Sequence, residues 1–394
     1  MSSSCEQRPL RLGVAGLGRG FMLTLPSLKA DSRVILCAAA APRAESRSAF
    51  EEAFGGRAHD SVESLCADPD VEAVYIATPH QMHAQHVACA AEHGKHVLVD
   101  KPLAIELADG QRMVAAARAA GIHLIVGPSH SFDAPVQQAH DIIRSGELGE
   151  VRMIQALNYT DFLYRPRRPE ELRTEAGGGV MFSQAIHQID IVRLLAGGLA
   201  QRVMAMTGAW DPERPTEGAY AAMIDFACGA FATLTYSGYA HFDSDEWMDW
   251  VGELGHAKVS SEYGGARRAL AGVHSPEDEA ALKSDRTFGA AEPQPAAPHH
   301  EHFGPVIVCC ERGDLRLTPK GVWLYGDTER RFIRAPDLAA PRLPVIDALF
   351  AAIRDGAPPA QTGEWGLASL ELCHAILRAA ELRAPVELEL QVPA

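Results

Sequence analysis

Between residues 10 and 126, short apolar runs alternate with longer amphipathic ones, and this alternation limits the chain to a narrow set of folds. The apolar runs are "LRLGVAGLG", "RVILCAAA", "VEAVYIATP", "HVLVD" and "HLIVGPS". Between them lie "FMLTLPSLKA", a helix interrupted at Pro26, then "AESRSAFEEAFG", "SVESLCAD", "MHAQHVACAAEHG" and "LADGQRMVAAARAAG". The apolar runs lack a polar residue at every second position, so these strands are covered on both faces. Helices alternating with such strands predict a doubly wound parallel sheet.

Turn formers and two prolines in "GPSHSFDAP" place a boundary around residues 128–135. The expected division is a nucleotide-binding domain over 1–130 and a second domain over 131–394. The rhythm of the second part differs. A helix is expected near 134–146 and another behind the glycines of 177–179. Strands then follow in "RVMAMTGAW", "GAYAAMIDFA", "GAFATLTYSGY", "WMDWVGELG", "HAKVSSEYG" and "GDLRLTPKGVWLYGD". Short turns between them predict a mostly antiparallel sheet with helices on one face, an α+β arrangement. Residues 275–303 read as a long loop, and "GEWGLASLELCHAILRAAELR" as a terminal helix.

Composition narrows the function classes. A formal net charge of −15 argues against nucleic acid and anionic membranes as partners. No apolar run reaches the roughly 18 residues of a spanning helix. The eight cysteines contain no C-x-x-C pair, and the amino-terminal stretch does not read as a secretory signal. A reduced, cytoplasmic protein is expected.

Several motifs then carry chemistry. "GLGRGF" at 16–21 follows a strand and opens a helix. Gly16 suits the tight turn and Gly18 lets a pyrophosphate approach the backbone, while Phe21 occupies the third glycine position. At the end of the second strand Ala41 stands where an acid would bind an NAD ribose, and Arg43 follows, where a 2′-phosphate would find a partner. "ATPHQMH" at 77–83 and "DKPLA" at 100–104 also end parallel strands, the edge at which ligands bind. His80, His83 and His86 have helical spacing, but no cysteine or carboxylate joins them at metal-site spacing. "HHEH" at 299–302 reads as a solvated loop cluster. Lys101, beside a cationic nicotinamide, would have its pKa lowered enough for proton transfer.

"GGGVMFSQAIHQID" at 177–190 places three glycines before a helix in which Ser183, His187 and Asp190 fall at i, i+4 and i+7 on one face, with Gln184 beside them. Ahead of it, "YRPRRPEELR" at 164–173 concentrates Arg165, Arg167, Arg168 and Arg173 in an otherwise acidic chain. Guanidiniums there suit bidentate binding of carboxylates.

Together, "GVAGLGRGF", "VYIATPHQMHAQHVACAAEHGKHVLVDKPLA" and "GGGVMFSQAIHQID" resemble the Gfo/Idh/MocA family of oxidoreductases, from the first strand to about residue 200. The resemblance implies an amino-terminal Rossmann domain, a carboxyl-terminal domain whose large open sheet makes a homodimer or homotetramer, and hydride transfer to NAD, with NADP left open by Arg43. It implies cofactor contacts at Gly16, Gly18, Arg19, Gly20, Phe21, Ala41, Arg43, Thr78, Pro79, His83, Asp100 and Lys101. The lysine of the family's E-K-P motif falls on Lys101, with Asp100 replacing the Glu, and its catalytic histidine falls on His187. Where the family often carries Asp four residues earlier, this chain has Ser183, which is no base at neutral pH.

"GLGRGFMLTLPSL", "LYRPRRPEELRTEAGGGV", "GYAHFDSDE" and "HFGPVIVCCERGDLR" further resemble the phthalate dihydrodiol dehydrogenases. That implies a carboxylated cyclic diol as substrate, bound by Tyr164, Arg165, Arg167, Arg168, Arg173, Ser183, Gln184 and His187, with no metal required. Whether His187 or Lys101 takes the proton stays open. A sugar or cyclitol dehydrogenase of the same family and a non-catalytic NAD(P) sensor are the rival readings.

Overall fold

The computed structural model of the protein describes residues 8–262, 264–273, 275–284, 287–289, 295 and 297–394. The chain divides into two compact units. One takes the described residues of 1–128, 284–296 and 339–366, and the other those of 129–283, 297–338 and 367–394. The first crossing lies close to the turn formers noted above. Two later segments rejoin the first unit, which no shift in composition marks.

The first unit is built on six strands: β1 (Leu10–Ala15), β2 (Val34–Ala40), β3 (Arg57–His59), β4 (Ala73–Ile76), β5 (His96–Val99) and β6 (Leu124–Val126). They pair in parallel in the order β3-β2-β1-β4-β5-β6. Helices α1 (Arg19–Ala30), α2 (Ala44–Phe54), α3 (Val62–Ala67), α4 (His83–Glu92) and α5 (Leu107–Ala120) connect them. All four residues of β4 are buried, as its unbroken apolar run predicts. The strand order reverses between β1 and β4, so the loops after these two strands part and leave a crevice at the carboxyl edge. The expected interruption at Pro26 is absent, because α1 runs through it. An interior proline costs about 3 kcal/mol, and burial of Phe21, Leu25 and Leu28 on the same helix opposes that cost.

The second unit carries nine strands: β7 (Val151–Tyr159), β8 (Ala200–Gly208), β9 (Ala219–Phe226), β10 (Phe231–Ser237), β11 (Val306–Cys310), β12 (Gly313–Thr318), β13 (Gly321–Tyr325), β14 (Arg330–Arg334) and β15 (Val386–Glu387). Their order is β14-β13-β12-β11-β7-β10-β9-β8-β15, antiparallel except where β10 runs parallel to β7. Central β7 is not among the strands read from the sequence.

The two strands expected over 247–264 do not form. Among its described residues that stretch holds the end of a 3₁₀ turn, Ser244–Met248, one bridge between Val251 and Ala257, and a second 3₁₀ turn, Ser260–Glu262. Asp249 and Trp250 both take positive φ, which ends extended pairing there. Within the expected loop 275–303, Pro276–Ser284 is a helix, and part of the remainder lies outside the described residues.

Helices α6 (Ala134–Arg144) and α7 (Ile186–Leu195) cover one face of the sheet, where Ile154, Val203, Ile224, Leu234 and Val308 are buried. The other face carries exposed Met204, Met206, Met223, Phe231 and Ile307. Among the described residues no helix is long and apolar enough to cross a membrane.

Candidate active site

In the first unit the expected cofactor residues gather at the carboxyl ends of β1, β2, β4 and β5. Gly16 has φ +93, and a Cβ there would stand 2.8 Å from the Ala77 carbonyl oxygen, so only glycine fits the turn. Gly18 is the N-cap of α1, and a Cβ on it would meet nothing within 4 Å. Its backbone therefore borders open space at the start of a 12-residue helix, the arrangement that receives a pyrophosphate. The third glycine is displaced by one residue. A Cβ on Gly20 would strike the Asp100 carboxylate at the end of β5, whereas Phe21 lies in the core, edge-on to Phe288 at 5.5 Å.

Arg19 is exposed in the first turn of α1. Ala41 is buried, its N–H donating to the His59 carbonyl (3.2 Å), and it offers no ribose acceptor. Arg43 is exposed and donates to Thr287 Oγ1 at 2.5 Å.

Thr78 and Pro79 follow β4, and Thr78 Oγ1 pairs with His86 Nδ1 at 2.9 Å. The His83 ring is wholly buried, with Nε2 3.0 Å from the Thr78 carbonyl oxygen and Nδ1 3.0 Å from that of Pro102. It braces the loops after β4 and β5 from within. Burial lowers its pKa, and it lowers that of His86 to about 4. Burial also raises the Asp100 carboxyl against the pull of Lys101, Arg342 and His83. Asp100 Oδ1 accepts the Lys101 backbone N–H at 2.9 Å, which fixes the start of the half-buried lysine.

In the second unit the glycines pack tightly. Gly177 ends a 3₁₀ turn in the left-handed region, and a Cβ on Gly178 would stand 2.6 Å from the Glu171 backbone. Gly179, at φ +71, is crowded by Thr216 and Glu217. Glu217 is a buried carboxylate that accepts the Met181 N–H at 3.0 Å and hydrogen bonds from Thr174 and Thr216. The glycines thus dock the chain against neighbouring segments, and the space next to Gly178 and Gly179 is filled by protein.

Beyond them, Met181–Ala185 forms a π turn, with the Ala185 N–H reaching back to Val180 O at 2.8 Å. The wider turn breaks the α spacing expected between Ser183 and His187. Ser183 Oγ instead donates back to the Gly179 carbonyl. Tyr236 donates to Gln184 Oε1 (3.0 Å) and Tyr220 to Gln188 Oε1 (2.5 Å), pinning the π turn to β10 and α7 to β9. Buried Asp190 accepts a hydrogen bond from Ser129. These bonds set His187 against the 129–132 turn.

His187 is buried, and its ring meets His130 at 4.5 Å with planes 67° apart, while Phe303 lies 4.9 Å from His187 and 5.2 Å from His130. His130 Nδ1 stands 2.6 Å from Asp133 Oδ2, and its Nε2 is 3.8 Å from Glu253 Oε1. Burial alone would lower the His130 pKa, but Asp133, Glu253 and Glu301 overcome it and raise it to about 10. Glu301 and His302 of "HHEH" are therefore not solvated: both are buried, Glu301 near His130 and His302 with Nε2 2.8 Å from the Val251 carbonyl oxygen. The spacing of His130, Asp133 and Glu301 also suits a divalent ion. A hydrogen bond between His130 Nδ1 and Asp133 competes with that use, since a nitrogen that holds the proton has no lone pair for an ion.

The arginines separate into different roles. Arg165 pairs with Glu253 (3.6 Å) and Asp161 (3.7 Å), and so belongs to the histidine cluster. Burial lowers its pKa, but these carboxylates hold it above the usual range. Arg167 stacks on Phe162 at 3.5 Å and donates to its carbonyl at 2.7 Å. The backbone N–H of Arg167 meets Glu279 (2.6 Å) and that of Arg168 meets Glu171 (2.8 Å). Glu171 in turn pairs with Lys283, so the Pro276–Ser284 helix braces this loop. Arg173 is exposed. Tyr164 donates to Asp211 (2.9 Å) and lines an aromatic cavity of about 520 Å³ with Tyr159, Trp210, Tyr239 and Phe242. His130, Asp133, Glu253, Glu301 and Glu217 were not read from the sequence as site residues. Only "SHSFD", with a histidine three residues before an aspartate, carries a local signal.

Residues 10–128 match the oxidoreductase family with an NAD-binding Rossmann fold, and residues 136–258 match the GFO/IDH/MocA C-terminal domain. A 1-carboxy-3-chloro-3,4-dihydroxycyclohexa-1,5-diene dehydrogenase of Comamonas testosteroni is 47% identical, over 93% of this chain and 94% of that one. The chain belongs to the Gfo/Idh/MocA family and is an oxidoreductase that uses NAD. Its fold agrees with a solved dehydrogenase structure from Bordetella bronchiseptica RB50, at 40% identity and TM-score 0.92 over 96% of this chain and 100% of that one. Levoglucosan dehydrogenase, solved with NADH and levoglucosan, shares the Gfo/Idh/MocA fold at 19% identity and TM-score 0.74, over 97% and 99% of the two chains. The Gly16–Gly18 turn fits the family's cofactor, since the open space beside Gly18 is what a bound pyrophosphate needs.

Proposed function

We propose that this protein oxidises a carboxylated cyclohexadiene cis-diol to the corresponding catechol, with a phthalate-type cis-dihydrodiol as its substrate. Bound NAD supplies the acceptor for the hydride that leaves the carbinol carbon. His187 takes the proton from the hydroxyl on that carbon, with Lys101 as the alternative acceptor or as the group that polarises the forming carbonyl oxygen. The resulting ring ketone enolises, and aromaticity makes the oxidation effectively one-way.

The observation that carries this reading is the 47% identity to a dehydrogenase named for a carboxylated dihydroxycyclohexadiene. The side-chain roles support it. Arg165 is held beside the His130–His187 pair through Glu253, where a guanidinium suits a substrate carboxylate. Gly16, Gly18, Arg19, Gly20, Thr78 and Pro79 would hold NAD, and Arg43 stands where the 2′-phosphate of NADP would find a partner. Assembly as a homodimer or homotetramer through the exposed sheet face and a cytoplasmic location are part of the proposal. The test is steady-state NADH formation with phthalate cis-dihydrodiols, a monocarboxylated cis-dihydrodiol and a polyol panel. Turnover of a carboxylated diol is expected; turnover of polyols alone overturns the substrate, and no turnover with tight NAD binding favours a sensor.

A further inference from the structure

We propose that His130, held between Asp133 and Glu253 and set edge-on against His187, is a positioning residue that orients the His187 ring and biases it toward its proton-accepting form. The inference rests on His187 being the proton acceptor. His130 lies in a 3₁₀ turn, His130–Phe132, that opens with Ser129 and closes with Asp133, so its place is fixed by short-range geometry. Both ring nitrogens face carboxylates, Nδ1 at 2.6 Å and Nε2 at 3.8 Å. One hydrogen bond and one ion-pair contact, each to a carboxylate, are the surroundings that suit an imidazolium.

An imidazolium at 4.5 Å and 67° addresses the neighbouring ring as a cation beside an aromatic face. That contact favours a neutral His187 and opposes a second positive charge on it. Phe303 closes the same space against both rings, which keeps the contact from relaxing into a hydrated gap. The charged groups around the pair are Asp133, Glu253 and Glu301, with Arg165 paired to Glu253, His302 near His130, and Asp190 on the helix of His187 engaged by Ser129. Of these groups, His130 is the one whose ring packs on that of His187 at 4.5 Å.

The experiment is the pH dependence of kcat/KM for the carboxylated cis-diol turned over most rapidly in the assay above, with the wild type, His130→Gln, Asp133→Asn and His187→Ala. Loss of the neighbouring cation makes His187 easier to protonate. The acid limb should therefore move to higher pH in His130→Gln, by roughly one to three pH units, the scale of one charge at this range. Asp133→Asn keeps the ring but loosens its proton, so it should move the limb the same way by less, and it keeps the test open if His130→Gln does not fold. NAD affinity should be retained in both. An unmoved acid limb in both variants, alongside an inactive His187→Ala, overturns this inference and leaves the proposed function standing. An active His187→Ala overturns the reading of His187 itself. Stimulation of EDTA-treated wild type by Zn²⁺ or Mn²⁺ also overturns the inference, since the cluster would then hold an ion rather than a proton.

Discussion

A side chain's neighbours decide its role here more than its type does. Four arginines within ten residues look interchangeable in sequence, yet Arg165 pairs with the carboxylate beside the two histidines, while Arg173 is exposed. Arg165→Ala should raise KM for a carboxylated diol roughly 10- to 100-fold, the worth of a charge-assisted hydrogen bond. Arg173→Ala should change it less than about 3-fold, and Michaelis–Menten kinetics on the two variants checks both. The raised pKa of His130, about 10, has a consequence for stability. The group stays protonated in the fold at pH values where the unfolded chain, near 6.5, has released its proton. Its stabilisation is complete below pH 6.5 and lost as pH rises through about 10. Denaturant unfolding at pH 6.5 and pH 10 should therefore show a decline that His130→Gln flattens.

Glycines act at the scale of elements, and the two glycine-rich turns do opposite work. Gly18 borders open space and has φ −87, a value any residue adopts. Gly18→Ala should leave thermal stability nearly unchanged and weaken NAD binding, measured by titration calorimetry, because the methyl intrudes only where a ligand would lie. Gly179 sits at φ +71 against Glu217. Gly179→Ala should cost at least about 1–2 kcal/mol from backbone strain alone, read as a lower unfolding midpoint. The sequence signals the need for a bare backbone at both places. It does not reveal what lies opposite, since Glu217 accepts from Met181, 36 positions earlier in the chain. The π turn is hidden for the same reason: an α-helical reading of Ser183, His187 and Asp190 is the default for such a run, and the i→i+5 bond is a local event without its own periodicity.

At the scale of the molecule, one face of the nine-stranded sheet is closed by α6 and α7 and the other presents Met204, Met206, Met223 and Phe231. A row of exposed methionines and a phenylalanine on one sheet face is the composition of an interface. Light scattering should find a homo-oligomer, and Met206→Glu with Met223→Glu should shift it toward monomer with little change in the helical circular-dichroism signal.

The doubly wound first unit was legible in the sequence, because strands buried on both faces must be apolar throughout and the turns between β and α need glycine at defined places. The motifs that make Lys101 and His187 candidates are local in the chain, so they could be picked out before folding. The strand β7 alternates weakly, and the stretch 247–264 carries aromatic and β-branched residues that mimic a strand until Asp249 and Trp250 turn its backbone. What only the tertiary structure decided is the surroundings of His187: His130 and Asp133 come from a turn 54 or more positions earlier, and Glu253, Glu301 and Phe303 from loops far downstream. Local periodicity follows from the backbone within a few residues, whereas the electrostatics of a buried ring depends on charges brought near by folding, and no sequence window contains them.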